Sequence, residues 1–274
     1  MGSERAQSHV DSVRTDSERA QSHVVGVALL LGITTLALAG LTVTVGTTID
    51  ASAGSVAAGQ VTDGFERSLR PQRVTGPHTG TLSLTGGRLS SEDRELRLLN
   101  SSGVVARVDT SALVYRAEDT RVAFLSGAVV RGAPGSAVLA REPSITTSAQ
   151  SLLVSATVLG DGKDRSGISL GLGRRSRAGG GTASGEGRAP ATTVLLHTDV
   201  THDRRTFASD EWRVAVETAT PEAWEQYFER RGATTTRRDF DGDGVPSVVA
   251  SISGTKRAIL VVHTLDLEVA IRAE

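Results

Sequence analysis

The stretch ELRLLNSSGVVARVDTSALVYRAEDTRVAFL, residues 95–125, decides the fold. Leu96 and Leu98 alternate with Glu95 and Arg97, and Val104 to Val108, Leu113-Val114-Tyr115 and Arg121-Val122-Ala123-Phe124-Leu125 follow at short intervals. Apolar residues at every second position mark half-buried strands, and the Asn, Ser, Gly and Asp between them mark turns. The pattern extends in both directions. Thr81-Leu82-Ser83-Leu84 precedes it; Val129-Val130, Ser151 to Leu159, Thr193 to Val200 and Trp212 to Val216 follow, and Val245 to Ile252, Ala258 to His263 and Leu265 to Ile271 close the chain. Thirty glycines against seven prolines fit many turns. The expectation is a mainly β protein whose domain over 76–274 is β-sandwich-like.

One short helix interrupts the strands. Thr220 offers an N-cap hydroxyl, Pro221 suits the first helical position and Glu222 places an acid on the dipole. Ala223, Trp224, Tyr227 and Phe228 then form an apolar stripe, and Gly232 ends the run. An aromatic ligand box is the sharper reading of that stripe; a cap on the core is the plainer one. Residues 173–190, beginning Gly173-Arg174-Arg175-Ser176-Arg177, hold almost nothing to bury and read as a disordered Gly/Arg loop.

The N-terminal region is of another kind. Val24 to Gly46 contains no acid or base and, at about 1.5 Å per residue, spans a bilayer of roughly 30 Å. The polar phrase Glu18-Arg19-Ala20-Gln21-Ser22-His23-Val24 stands before this stretch, so a cut within it leaves the apolar helix on the mature chain, unlike the cleavage of a secretory signal. Arg5, Arg14 and Arg19 precede the helix and no base follows it before Arg67, which places the N-terminus in the cytoplasm and the larger domain outside. The organisation read from the chain is a leader over 1–20, an N-terminal apolar helix and hinge over 21–60, and the extracytoplasmic β-rich domain over 76–274. Ser3 to Val10 recurs unchanged as Ser17 to Val24, but only the second copy leads into the apolar stretch; the first reads as a duplicate that is not processed.

A net charge of −1 gives no concentrated basic face for nucleic acid. The absence of cysteine removes thiol catalysis, disulfides and thiolate metal sites. Of the 30 basic residues only Lys163 and Lys256 are lysine.

Asp239-Phe240-Asp241-Gly242-Asp243-Gly244 has the start of a calcium loop, with Asp239, Asp241 and Asp243 at alternate positions. The twelfth position is Ala250, where an EF-hand needs a bidentate acid, and a tight acidic turn is the competing reading. Asn100-Ser101-Ser102 is a glycosylation acceptor or a turn asparagine. Gly167-Ile168-Ser169-Leu170-Gly171 spells a nucleophile elbow without the strand and helix it requires. His197 and His202, five apart, fall on opposite faces of a strand. With no convergent polar cluster, the chain is read as no enzyme: no catalytic or cofactor-binding residue is assigned.

The phrase Arg19-Ala20-Gln21-Ser22-His23-Val24-Val25-Gly26-Val27-Ala28-Leu29-Leu30-Leu31 resembles the N-terminus of haloarchaeal type IV pilins and pilin-like proteins. The resemblance implies a prepilin peptidase that cuts between Ala20 and Gln21, with Arg19, Ala20 and Gln21 as the processing residues. Where the family often carries glutamate, this chain has His23. Gly127 to Arg131, Arg141-Glu142-Pro143 and Ala223 to Phe228 are similar to landmarks of uncharacterised haloarchaeal membrane proteins with such a start. Two functions follow as expectations. One is a pilin-like cell-surface structural or adhesion subunit whose partners are the peptidase, the lipid bilayer and other pilin-like subunits. The other is a single-pass envelope protein whose head binds a ligand or glycan without polymerising.

Overall fold

A computed structural model describes residues 56–70, 75–117, 120–148, 150–160, 169–171, 192–209 and 211–272. All belong to one compact unit, Gly54–Glu274. The apolar stretch Val24 to Gly46, the processing residues Arg19, Ala20 and Gln21, and the Gly/Arg loop over 173–190 lie outside the described residues. No helix among the described residues is long and apolar enough to cross a membrane.

The described chain is mainly β, with two helices. Helix α1 covers 56–68 and α2 covers Pro221–Glu229. The strands are β1 (Gly76–Leu84), β2 (Arg88–Asn100), β3 (Gly103–Ala117), β4 (Thr120–Leu125), β5 (Ala128–Arg131), β6 (Val138–Arg141) and β7 (Ile145–Thr147). They continue as β8 (Ser151–Leu159), β9 (Ser169–Gly171), β10 (Thr192–Ala208), β11 (Glu211–Glu217), β12 (Thr234–Arg238), β13 (Ser247–Ser253) and β14 (Arg257–Ile271). One sheet has the order β1-β10-β14-β8-β7, and its β14–β8 pair is parallel. The other runs β12-β13-β11-β2-β3-β4-β5-β6, with β9 added beside the start of β2.

The two sheets share two apolar cores because successive residues of a strand point to opposite faces. Val114 of β3 and Ala123 of β4 enter the first core, with Leu152 and Val154 of β8 and Val214 of β11. Their neighbours Tyr115 and Phe124 enter the second, with Leu82 of β1 and Leu196 of β10. The continuous run Val122 to Leu125 is buried throughout for this reason. Helix α2 closes the first core with Trp224, Tyr227 and Phe228, as the stripe in the sequence anticipates.

Helix α1 closes the second core through Ala58, Val61 and Phe65, and burial of the two larger side chains, Val61 and Phe65, contributes about 1.5–3 kcal/mol each. The small polar stretch Asp50 to Gln60, which reads as a continuation of the apolar helix or a hinge, is helical and packed from residue 56 onward. Gly80 makes the packing possible: a Cβ there would stand 2.3 Å from Ser68 Cβ and 2.9 Å from its Cα, so α1 rests directly on β1.

Several local readings differ from the structure. Val104–Val108 and Leu113–Tyr115, expected as two strands, are one strand, because β3 pairs along its whole length with β2 and Thr110 Oγ1 donates to the Arg94 carbonyl. Ala258–His263 and Leu265–Ile271 likewise join in β14, held by the long partner β10. Thr220 precedes α2 but makes no side-chain cap; its hydroxyl lies 3.2 Å from that of Thr218.

Candidate functional site

Strands β2, β11 and β13 lie side by side, and their register puts charged residues on the face turned away from the first core. Arg97 pairs with Ala215, Ala215 with Val249, and Glu217 with Ser247. Glu217 follows Val216, which pairs with Leu96, so the register carries it toward Glu95. The connection from β12 to β13 folds over this face. Phe240 packs on Leu99, Ala215 and Val249, and the Arg97 guanidinium stacks 4.5 Å from its ring centroid. Arg238 stacks on the same ring at 4.6 Å.

Arg97 is 3% exposed and is shared among three carboxylates. It pairs with Glu95, lies 3.4 Å from Asp241 Oδ2 and 3.6 Å from Glu217 Oε2, and donates from Nη1 to Ser247 Oγ at 3.2 Å. Glu95 also pairs with Arg107 at the rim. Glu217 is equally buried, and its Oε2 has no hydrogen-bond partner. Burial first, and then the Asp241 carboxylate, push its pKa up to about 7. One oxygen each of Glu95, Glu217 and Asp241 lie within 4.8 Å of one another.

Asp239, Asp241 and Asp243, the triad singled out in the sequence, also converge within 4.8 Å. Two of the three have visible work in the turn. Asp239 accepts from the N–H groups of Gly242 (2.8 Å) and Gly244 (3.1 Å), and Asp243 accepts from Val245 N–H at 2.7 Å. These bonds, that of Gly242 most, hold the Asp239 pKa below the usual carboxylate range. Gly242 and Gly244 take φ of 79° and 86°, which glycine adopts without strain. Ala250, at the twelfth position, is buried in the first core on β13 and offers no ligand. Sequence spacing alone could not find Glu95 and Glu217, because they reach Asp241 only through the pairing of distant strands.

A cleft of about 1170 Å³ opens at this site and is lined by residues of both sheets. Glu95, Glu217, Asp241 and Asp243 contribute to its wall, with Asp109 and Glu268 farther along. Acidic side chains outnumber the arginines Arg94, Arg107 and Arg205 that share the lining, so the cleft attracts cations.

The remaining sequence candidates are dispersed. Asn100 ends β2, where its Oδ1 accepts from Ser102 N–H at 2.9 Å and its carbonyl accepts from Arg213. Ser169 lies in β9 against β2, and the residues directly after Gly171 lie outside the described ones. His197 Nδ1 and Thr79 Oγ1 are 3.1 Å apart. His202 meets His263, with the Nδ1 atoms 2.8 Å apart, and His263 Nε2 is 2.8 Å from Ser155 Oγ. Burial and the neighbouring His202 lower the His263 pKa, which favours a neutral ring able to exchange hydrogen bonds on both sides. The register pairing His202 with His263 was not readable from spacing within either strand.

A family model matches residues 19–268 and so takes in both the polar phrase before the apolar stretch and the β-rich unit. The chain belongs to DUF7289, a family of unknown function. The DUF7289 match includes the second copy of the N-terminal repeat from Arg19 onward and leaves out the first. No curated protein and no solved structure matches the chain.

Proposed function

We propose that this chain is a type IV pilin-like subunit of the cell surface, with a structural or adhesive role. The observation that carries the reading is the phrase Arg19 to Val24 running directly into an uncharged stretch of bilayer length. In this account a prepilin peptidase removes residues 1–20, and the helix from Gln21 anchors the chain in the bilayer or packs beside other pilin-like subunits. The small residues Ala28 and Gly32 share a helix face and let such helices approach closely. The head lies outside the cell as a β-sandwich-like domain. A family match that begins at Arg19 supports treating the second repeat copy as the working one.

The acidic cleft favours one variation on this reading, a head that binds a ligand while the chain stays anchored as a single-pass envelope protein. Both versions require the same processing. The chain isolated from its own cells is expected to have the intact mass of a polypeptide beginning at Gln21. The Ala20→Asp variant should retain the leader, since a charged residue replaces the small one at the scissile bond. A wild-type chain that keeps residues 1–20, or is cut beyond Gly46, contradicts the proposal.

A further inference from the structure

Three carboxylates surround Arg97: Glu217 is buried, Glu95 is half-buried and Asp241 stands at the surface. Glu95, Glu217 and Asp241 come from β2, β11 and the β12–β13 connection, and one oxygen of each lies within 4.8 Å of the others. Two oxygens on opposite sides of a calcium ion, each at 2.3–2.6 Å, stand roughly 5 Å apart. The triad has the size of that cage. With Asp239 and Asp243 at the mouth, five carboxylates face the guanidinium groups of Arg94, Arg97 and Arg107.

An acidic cluster in a turn can persist in water without an ion. Glu217 sets this one apart. It is 3% exposed, it lines the cleft, its Oε2 has no hydrogen-bond partner, and its nearest cation is Arg97 Nη1 at 3.6 Å. A buried polar oxygen left without a hydrogen bond is costly, and a ligand that coordinates it removes the cost.

We propose that Glu95, Glu217 and Asp241 bind one hard divalent cation, calcium, at the inner end of the acidic cleft. Asp239 and Asp243 shape the turn that carries Asp241 to the other two and add negative charge at the entrance. The bidentate acid missing from the twelfth position of the loop is replaced in space by Glu217 from β11. Calcium fits better than magnesium, which keeps several waters and takes only one or two carboxylates. Bound there, the ion ties the loop to β2 and β11 and stiffens this face of the head.

The test uses the full chain in detergent, stripped with a chelator and titrated calorimetrically with calcium chloride in high monovalent salt, where diffuse attraction is screened. One saturable ion per chain is expected, with magnesium binding more weakly. Glu217→Gln keeps the shape of the side chain and removes its charge; Asp241→Asn does the same at the junction of the two triads. Each should weaken calcium binding roughly 10-fold or more, with the near-ultraviolet circular dichroism of the buried tryptophans confirming the fold. Glu268→Gln, on the same cleft but outside the triad, should bind as the wild type does. The proposal is overturned by the absence of saturable binding, by a folded Glu217→Gln chain with wild-type affinity, or by equal weakening in Glu268→Gln. If Asp241→Asn does not fold, Glu217→Gln alone decides.

Discussion

Arg97→Met is expected to destabilise the head by about 3–5 kcal/mol, the cost of breaking a buried ion pair by removing one partner. The methionine fills much of the arginine's volume, so the loss reports charge more than packing. Glu95 keeps Arg107, which is half exposed, but Glu217 and Asp241 lose the nearest positive group. Stacking on Phe240 is lost as well. Arg97→Lys should restore little, because a single ammonium cannot reach Glu95, Asp241 and Ser247 with the arginine's planar fork. Urea unfolding followed by tryptophan fluorescence measures both. The double variant Arg97→Met, Glu217→Gln should lose less than the sum of the single losses, since both act on one network. A loss under about 1 kcal/mol for Arg97→Met would place the cluster among solvated surface pairs.

Trp224→Ala is expected to cost a similar 3–5 kcal/mol, from lost burial and the cavity left behind. Trp224 is fully buried and meets Tyr227 and Phe228 with ring centroids 6.3 and 6.2 Å away. Through these rings α2 closes the first core. Its indole Nε1 has no hydrogen-bond partner, so Trp224→Phe gives up volume but no polar contact and should cost distinctly less. Thermal or chemical unfolding of the two variants side by side reads this difference. Equal losses would mean that the indole N–H takes part in a bond the packing does not reveal.

Local pattern was legible in the sequence where one physical rule dominates. The alternation at Glu95–Leu98 and the stripe Ala223, Trp224, Tyr227 and Phe228 each report a face against a core, and both are found as strand and helix. Strand length was less legible. Asp109 reads as a turn residue, yet β2 pairs past it and β3 continues as one strand. Helix α1 was obscured by the small residues around 56–60, of which Ala58 alone is buried in the second core. The loop aspartates could be named from spacing, whereas Glu95 and Glu217 could not. Long-range pairing brings 95, 217 and 241 together, and no window of sequence contains all three.

Surface-filament isolation tests the proposed role most directly. Filaments sheared from cells that make this chain, purified away from membranes and analysed by mass spectrometry, should contain it with Gln21 as its first residue. Complete recovery of the chain in the membrane fraction, with filaments present and free of it, would contradict the pilin-like assignment and leave an anchored head that does not assemble.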